Sequence, residues 1–219
     1  MSLWIKICGN TSLEDARLAA EAGADAAGFV FAPGPRRVHV EQVAAIVPRL
    51  PVKIEKIGVF VDASFEEIEA AVRAIGLTGV QLHFNAAPEL PARLRTQFGT
   101  NLRILRVTHF SAESAAEAEA ITRDANIDAV LVDSRTATAV GGTGTTFDWL
   151  AASKTLFQQA HTHARRLVVA GGLTPENVAE AIATLRPWGV DVVSGVEAAP
   201  GRKDPVKVRN FVAKARAAE

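Results

Sequence analysis

Short apolar runs alternate with longer amphipathic stretches along the whole chain. The runs are Ile5–Cys8, Ala26–Phe31, Ile57–Val61, Val80–Leu82, Leu102–Val107, Ala129–Val132, Leu167–Ala170 and Val190–Val193. They are rich in Val, Ile and Leu and show little polar alternation, the pattern of strands covered on both faces. The stretches between them carry helix signals. Ser12 is placed to cap a helix whose first turn holds Glu14 and Asp15, and Gly23 is placed to stop it. Glu41–Val47 is apolar-periodic and ends before Pro48, and Ser64–Ile75 opens on Ser64 and stops at Gly76. Ser111–Ile121 is rich in alanine and glutamate, which favours helix. Thr174-Pro175-Glu176-Asn177 puts threonine at a cap and proline at the first helical position, and Pro205–Ala218 closes the chain.

Eight strand–helix pairs in 219 residues leave about 27 residues per unit, a comfortable βα repeat. The predicted architecture is α/β: a single-domain (β/α)8 barrel of eight parallel strands spanning residues 1–219. A doubly wound open sheet is the rival. Eight units of similar length, with no dinucleotide fingerprint in the first turn, favour the closed barrel.

Composition narrows the function. Lysine plus arginine and aspartate plus glutamate both number 24, with no stripe of one sign, so nucleic acid is not expected as a partner. A single cysteine, Cys8, excludes an internal disulfide and a multi-cysteine zinc site. The N-terminus runs straight into strand-like sequence, and no stretch approaches the ~20 apolar residues of a membrane span. A cytoplasmic protein without membrane contact is expected, and a monomer, since no exposed heptad suggests a coiled coil.

In a barrel of this kind the site lies at the C-terminal ends of the strands. Those ends are polar and glycine-rich here. The first run ends in Lys6-Ile7-Cys8-Gly9-Asn10, where a thiolate can serve as base or nucleophile, or the cysteine can be a small buried hydrophobe. The second ends in Pro33-Gly34-Pro35-Arg36-Arg37, where either arginine can clamp a carboxylate or lie solvated. The fourth ends in His83, and the sixth in Asp133, where burial can raise a carboxyl into the range of an acid catalyst. Gly141-Gly142-Thr143-Gly144-Thr145 follows and can bring backbone amides to an anion; it is not a P-loop. The seventh run ends in Ala170-Gly171-Gly172-Leu173 and the eighth in Ser194-Gly195-Val196-Glu197. Glycine turns at these two places match the phosphate site that barrels build there. An acid and a base in one mouth, with no metal or nucleotide motif, point to proton shuffling on a phosphorylated small molecule.

These residues resemble the phosphoribosylanthranilate isomerase family. The resemblance rests on Lys6-Ile7-Cys8-Gly9, Gly28-Phe29-Val30-Phe31-Ala32-Pro33, Gly58-Val59-Phe60-Val61, Val80-Gln81-Leu82-His83, Gly141–Trp149, Ala170–Val178, Val190–Glu197 and Pro200-Gly201-Arg202-Lys203-Asp204, in the family's order over nearly the whole chain. It implies an Amadori rearrangement in tryptophan biosynthesis, with no cofactor or metal. It further implies that Asp133 protonates the furanose ring oxygen, that Cys8 removes the sugar C2 proton, and that Arg37 binds the anthranilate end. Asp191 then lies in the substrate pocket, with His83, and the phosphate rests against Gly142, Gly171, Gly172, Ser194 and Gly195. Three positions depart from the family's pattern: Phe84 follows the histidine where glycine is usual, Arg36 stands where the pattern has proline or lysine, and Asn10 replaces a common apolar residue. Arg36 therefore competes with Arg37 for the substrate. Two rival functions remain on the same fold: another sugar-phosphate synthase or epimerase, and a phosphate-ligand binding protein without catalysis.

Overall fold

Why do the apolar runs lack alternation? Both faces of each strand are covered, by two different cores. In the computed structural model the described residues are 2–83, 86–109, 121, 123–133, 149–158 and 166–219. Their strands are β1 (Trp4–Ile7), β2 (Ala26–Val30), β3 (Glu55–Val61), β4 (Gly79–His83), β5 (Arg103–His109), β6 (Ala129–Asp133), β7 (Leu167–Ala170) and β8 (Gly189–Val192). They close into a barrel in chain order, each parallel to its neighbours. Trp4, Ala26, Ile57, Leu105, Val107, Ala129, Leu131, Val168 and Ala170 form one cluster. Their spacing of two puts them on the face that fills the barrel. The alternate residues face outward. Ile5, Ile7, Val130, Val132, Val190 and Val192 pack against Val178, Ile182, Val208 and Phe211 of two helices. Phe29, Phe60, Val80, Leu82 and Ile104 pack against Val43, Ile46, Ile68, Val72 and Leu94 on the other side.

Local chemistry sets most element ends. Helix α1 (Leu13–Glu21) begins where Ser12 Oγ accepts the Asp15 amide at 3.1 Å. Helix α3 (Phe65–Ile75) has a reciprocal cap between Ser64 and Glu67 and stops at Gly76, whose φ of 75° is left-handed. Helix α2 (Val40–Ile46) does not end cleanly before Pro48. It tightens into a 3-10 turn over Val47–Arg49 that contains the proline near its start, where no amide is needed.

The helix after β7 begins only at Val178 and runs to Leu185; Thr174 Oγ1 accepts the Glu176 amide at 3.2 Å and so caps the turn that leads into the helix. The Asn177 side chain intervenes: Oδ1 accepts the Thr174 amide at 2.8 Å and Nδ2 donates to the Gly172 carbonyl at 3.0 Å, holding residues 174–177 as a turn. Helix α4 (Leu90–Phe98), the short Trp149–Ala152 helix and a hairpin of β9 (Glu197–Ala199) with β10 (Arg202–Lys203) are additions to the predicted plan. The closing helix spans Pro205–Ala217 behind an Asp204 cap. The expected Ser111–Ile121 helix lies, but for its last residue, outside the described residues.

Trp4 and Trp188 stack at the floor of the barrel, ring centres 5.2 Å apart, with Arg103 and Arg166 against Trp188. The inward columns then climb from this apolar floor to a polar mouth. Trp4 is followed by Lys6 and Cys8, Ala129 and Leu131 by Asp133, and Gly189 by Asp191.

Candidate active site

Lys6 is fully buried in the barrel interior. Its ammonium donates to Asp191 Oδ1 and to Gln81 Oε1, each at 2.9 Å. An ammonium only donates, so Gln81 must turn its oxygen to Lys6 and its amide nitrogen to His83 Nε2, 2.7 Å away. His83 Nε2 is then the acceptor, and the ring is neutral with its proton on Nδ1. Cys8 follows Lys6 on the same face, one residue beyond the end of β1, and is 3% exposed. Gly28 on β2 makes this stacking possible. A Cβ at Gly28 would stand 2.6 Å from Cys8 Sγ and 2.9 Å from Lys6 Cε.

The electrostatics of this column divide in two. Burial pushes the Cys8 thiol up; Lys6 foremost, and Lys203, pull it down while Asp191 pushes it up, and the net shift is upward. Lys6 is in place, but desolvation outweighs it, and Arg37 takes no part. For Lys6 itself burial acts to lower the pKa, but the attraction of Asp191 helps to carry it above the ordinary range, so it is held as a cation.

Asp133 ends β6 and is 2% exposed. It shares the inward face of Ala129 and Leu131 and lies beside His109 and Ala170 in register. Strands β7 and β8 separate it from β1, so Cys8 and Asp133 enter the mouth from different parts of the ring. The glycine turns follow from those two intervening strands. Gly171 and Gly172 take φ of 83° and 64°, a left-handed pair that only glycine adopts without cost. Ser194–Val196 is a 3-10 turn in which a Cβ on Gly195 would fall 1.9 Å from the Leu173 carbonyl oxygen. The two loops thus pack backbone to backbone. Gly142 and Phe84 lie outside the described residues.

The paired arginines are separated. Arg36 donates from Nε and Nη2 to the two carboxylate oxygens of Glu197, at 2.8 and 2.7 Å. Arg37 is exposed, and its guanidinium has no hydrogen bond or ion pair among the described residues. The structure brings Lys6, Cys8, Gln81, His83 and Asp191 into one network and leaves Arg37 at the rim. Gln81, Glu197 and Lys203 had no role in the sequence reading, although all three fall in the motifs that carry the resemblance. No group of three or more metal-ligating side chains occurs among the described residues. Nor is any described helix long and apolar enough to cross a membrane.

The family model described as N-(5'-phosphoribosyl)anthranilate (PRA) isomerase matches residues 5–214. The N-(5'-phosphoribosyl)anthranilate isomerase of Pelobacter propionicus is 44% identical over 209 residues, 95% of this chain and 93% of that protein. The crystal structure of phosphoribosyl anthranilate isomerase from Thermotoga maritima superposes with a TM-score of 0.85 at 36% identity, covering 98% of this chain and 99% of that one. Another such isomerase, solved in complex with reduced 1-(o-carboxyphenylamino)-1-deoxyribulose 5-phosphate, gives 0.82 at 35% identity, over 98% and 99% of the two chains.

Proposed function

The chain belongs to the phosphoribosylanthranilate isomerase family, enzymes of tryptophan biosynthesis, and we propose that it performs their Amadori rearrangement with Asp133 as general acid and Cys8 as general base. The observation that carries this reading is the inward column of the mouth. Cys8 stands there above a buried Lys6–Asp191 ion pair, with the carboxyl of Asp133 on the same inward face of β6.

In the proposed sequence Asp133 gives its proton to the furanose ring oxygen of phosphoribosylanthranilate as the C1–O bond breaks, leaving a protonated Schiff base. Cys8 takes the proton from C2, and the electron pair moves to form the C1–C2 double bond and neutralise the nitrogen. The resulting enolamine tautomerises to 1-(2-carboxyphenylamino)-1-deoxyribulose 5-phosphate. The cationic nitrogen acidifies C2 and favours the thiolate beside it, which offsets the burial of Cys8 at the step that needs the base. Asp191 and His83 line the pocket. Gly171, Gly172, Ser194 and Gly195, together with Gly142, offer main-chain amides to the phosphate. Arg37 takes the anthranilate carboxylate, since the Arg36 guanidinium is already occupied by Glu197. The enzyme works as a single-domain cytoplasmic monomer and needs no cofactor.

The test is the loss of substrate fluorescence on mixing with freshly made phosphoribosylanthranilate. The parent converts it, and Cys8→Ala and Asp133→Asn each lose on the order of 10²-fold or more in kcat. A folded parent that converts nothing sinks the proposal.

A further inference from the structure

Glu197 and Lys203 have no part in the steps above, yet both are buried beside the mouth, and Lys203 lies directly against the main chain of Cys8. Lys203 Nζ uses all three of its donors: to the Cys8 carbonyl at 2.6 Å, the Val193 carbonyl at 3.2 Å and Glu197 Oε1 at 3.3 Å. Glu197 Oε1 also accepts from Arg36 Nε and, at 3.3 Å, from the Gly201 amide, while Oε2 takes Arg36 Nη2. The stem of Arg36 crosses Gly9, where a Cβ would come within 2.9 Å of Arg36 Cδ. The β9–β10 hairpin that presents Glu197 and Lys203 is itself pinned. Thr11 Oγ1 donates to the Gly201 carbonyl at 2.6 Å, and the Lys203 amide donates to Asp15 Oδ1 at 3.2 Å. The chain ends leaving β1, β2 and β8 thus converge on one carboxylate.

A buried ion cluster is poor value as stability alone, because desolvation consumes much of its attraction. What this one provides is a fixed geometry. We propose that Glu197 and Lys203 are positioning residues: Lys203 holds the Cys8 main chain in the mouth, and Glu197 ties the second loop to the same point through Arg36. The base and the loop carrying Arg37 then keep one fixed separation. That separation matters because, on the isomerase reading this rests on, the substrate must meet Cys8 at C2 and Arg37 at its carboxylate together. Misplacement by about 1 Å costs up to ~10²-fold in rate.

The experiment compares Lys203→Met, Arg36→Met and Arg36→Lys with the parent. Thermal midpoints establish folding. Steady-state kinetics with phosphoribosylanthranilate and an ultraviolet titration of the thiolate are then read on each. One cysteine and no tyrosine make that titration report Cys8 alone. Among the described residues, the charged groups that face Cys8 are Lys6 on β1, Asp191 on β8, Lys203 on β10 and Arg36 after β2. Lys203→Met is expected to lose roughly tenfold or more in kcat, to keep KM within about threefold, and to move the thiolate titration to higher pH. Arg36→Met is expected to raise KM roughly tenfold with kcat largely kept, and Arg36→Lys, which retains a charge for Glu197, to recover part of that. A folded Lys203→Met with the parent's kcat and thiolate titration overturns the proposal. If Lys203→Met does not fold, Arg36→Met on the more exposed partner decides, and an unchanged KM overturns it. If the parent converts no substrate, the isomerase reading fails on its own, and the thiolate titration still judges the hold of Lys203 on Cys8.

Discussion

At Cys8 burial and charge pull in opposite directions, and burial wins. The consequence is a pH dependence whose sign can be worked out. A thiol held above its ordinary value near ~8.5 is mostly protonated at neutral pH, so kcat/KM of the free enzyme should climb as pH rises through and beyond that range. The native state also keeps this proton longer than the unfolded chain does, so Cys8 contributes stability below the ordinary thiol value that is lost as pH rises through the folded one. A profile flat from neutral to alkaline pH would contradict the assignment of Cys8 as base. The neighbouring pair gives a second test. Lys6→Met strands Asp191 in the interior and should cost roughly 3–5 kcal/mol in urea unfolding, whereas Lys6→Met with Asp191→Leu should recover most of that stability without restoring turnover. If the single substitution is as stable as the parent, the buried ion pair is not formed in solution. Cys8 and Asp133 were legible as candidates in the sequence because each stands at the end of an apolar run. Gln81 was not: a glutamine inside a strand shows its purpose only when closure of the barrel brings Lys6 to one side of it and His83 lies on the other.

The strands were more legible than the helix starts, and the reason is physical. A strand covered on both faces needs an unbroken apolar run, which any reading of periodicity finds. A helix start depends on which side chain reaches which amide. Ser12 and Ser64 act as their sequence suggests, whereas Thr174 takes the Glu176 amide in a turn and the helix itself starts only at Val178, after Asn177. The second arginine could not be sorted from the first for a similar reason, since the partner that claims Arg36 comes from a hairpin absent from the predicted plan. The loops after β7 and β8 carry a prediction of their own. Gly195→Ala sets a methyl group 1.9 Å from the Leu173 carbonyl oxygen, where the obstacle is backbone and cannot swing away. The two loops must separate, and the proposed phosphate cradle with them. KM should rise by an order of magnitude or more while the strands keep their circular dichroism. An unchanged KM would place the phosphate elsewhere.

For the molecule as a whole, unbroken apolar runs require only that each strand be covered on both sides, as in an open doubly wound sheet too; eight units of similar length without a dinucleotide fingerprint favoured closure, and the barrel supplies the inner cover from its own side chains. The outer surface bears on how many copies associate. Among the described residues the exposed large hydrophobics are Val52, Leu150 and Val206, which fall on a loop before β3, the Trp149–Ala152 helix and the start of the last helix. They lie on three different elements, and isolated apolar side chains of this kind are ordinary on a monomer's surface. Nor does net charge drive association or repulsion strongly, the 24 cations and 24 anions cancelling. Sedimentation velocity should therefore give a species of 23.2 kDa whose coefficient does not change over a hundredfold range of concentration. A stable species of twice that mass would overturn this expectation.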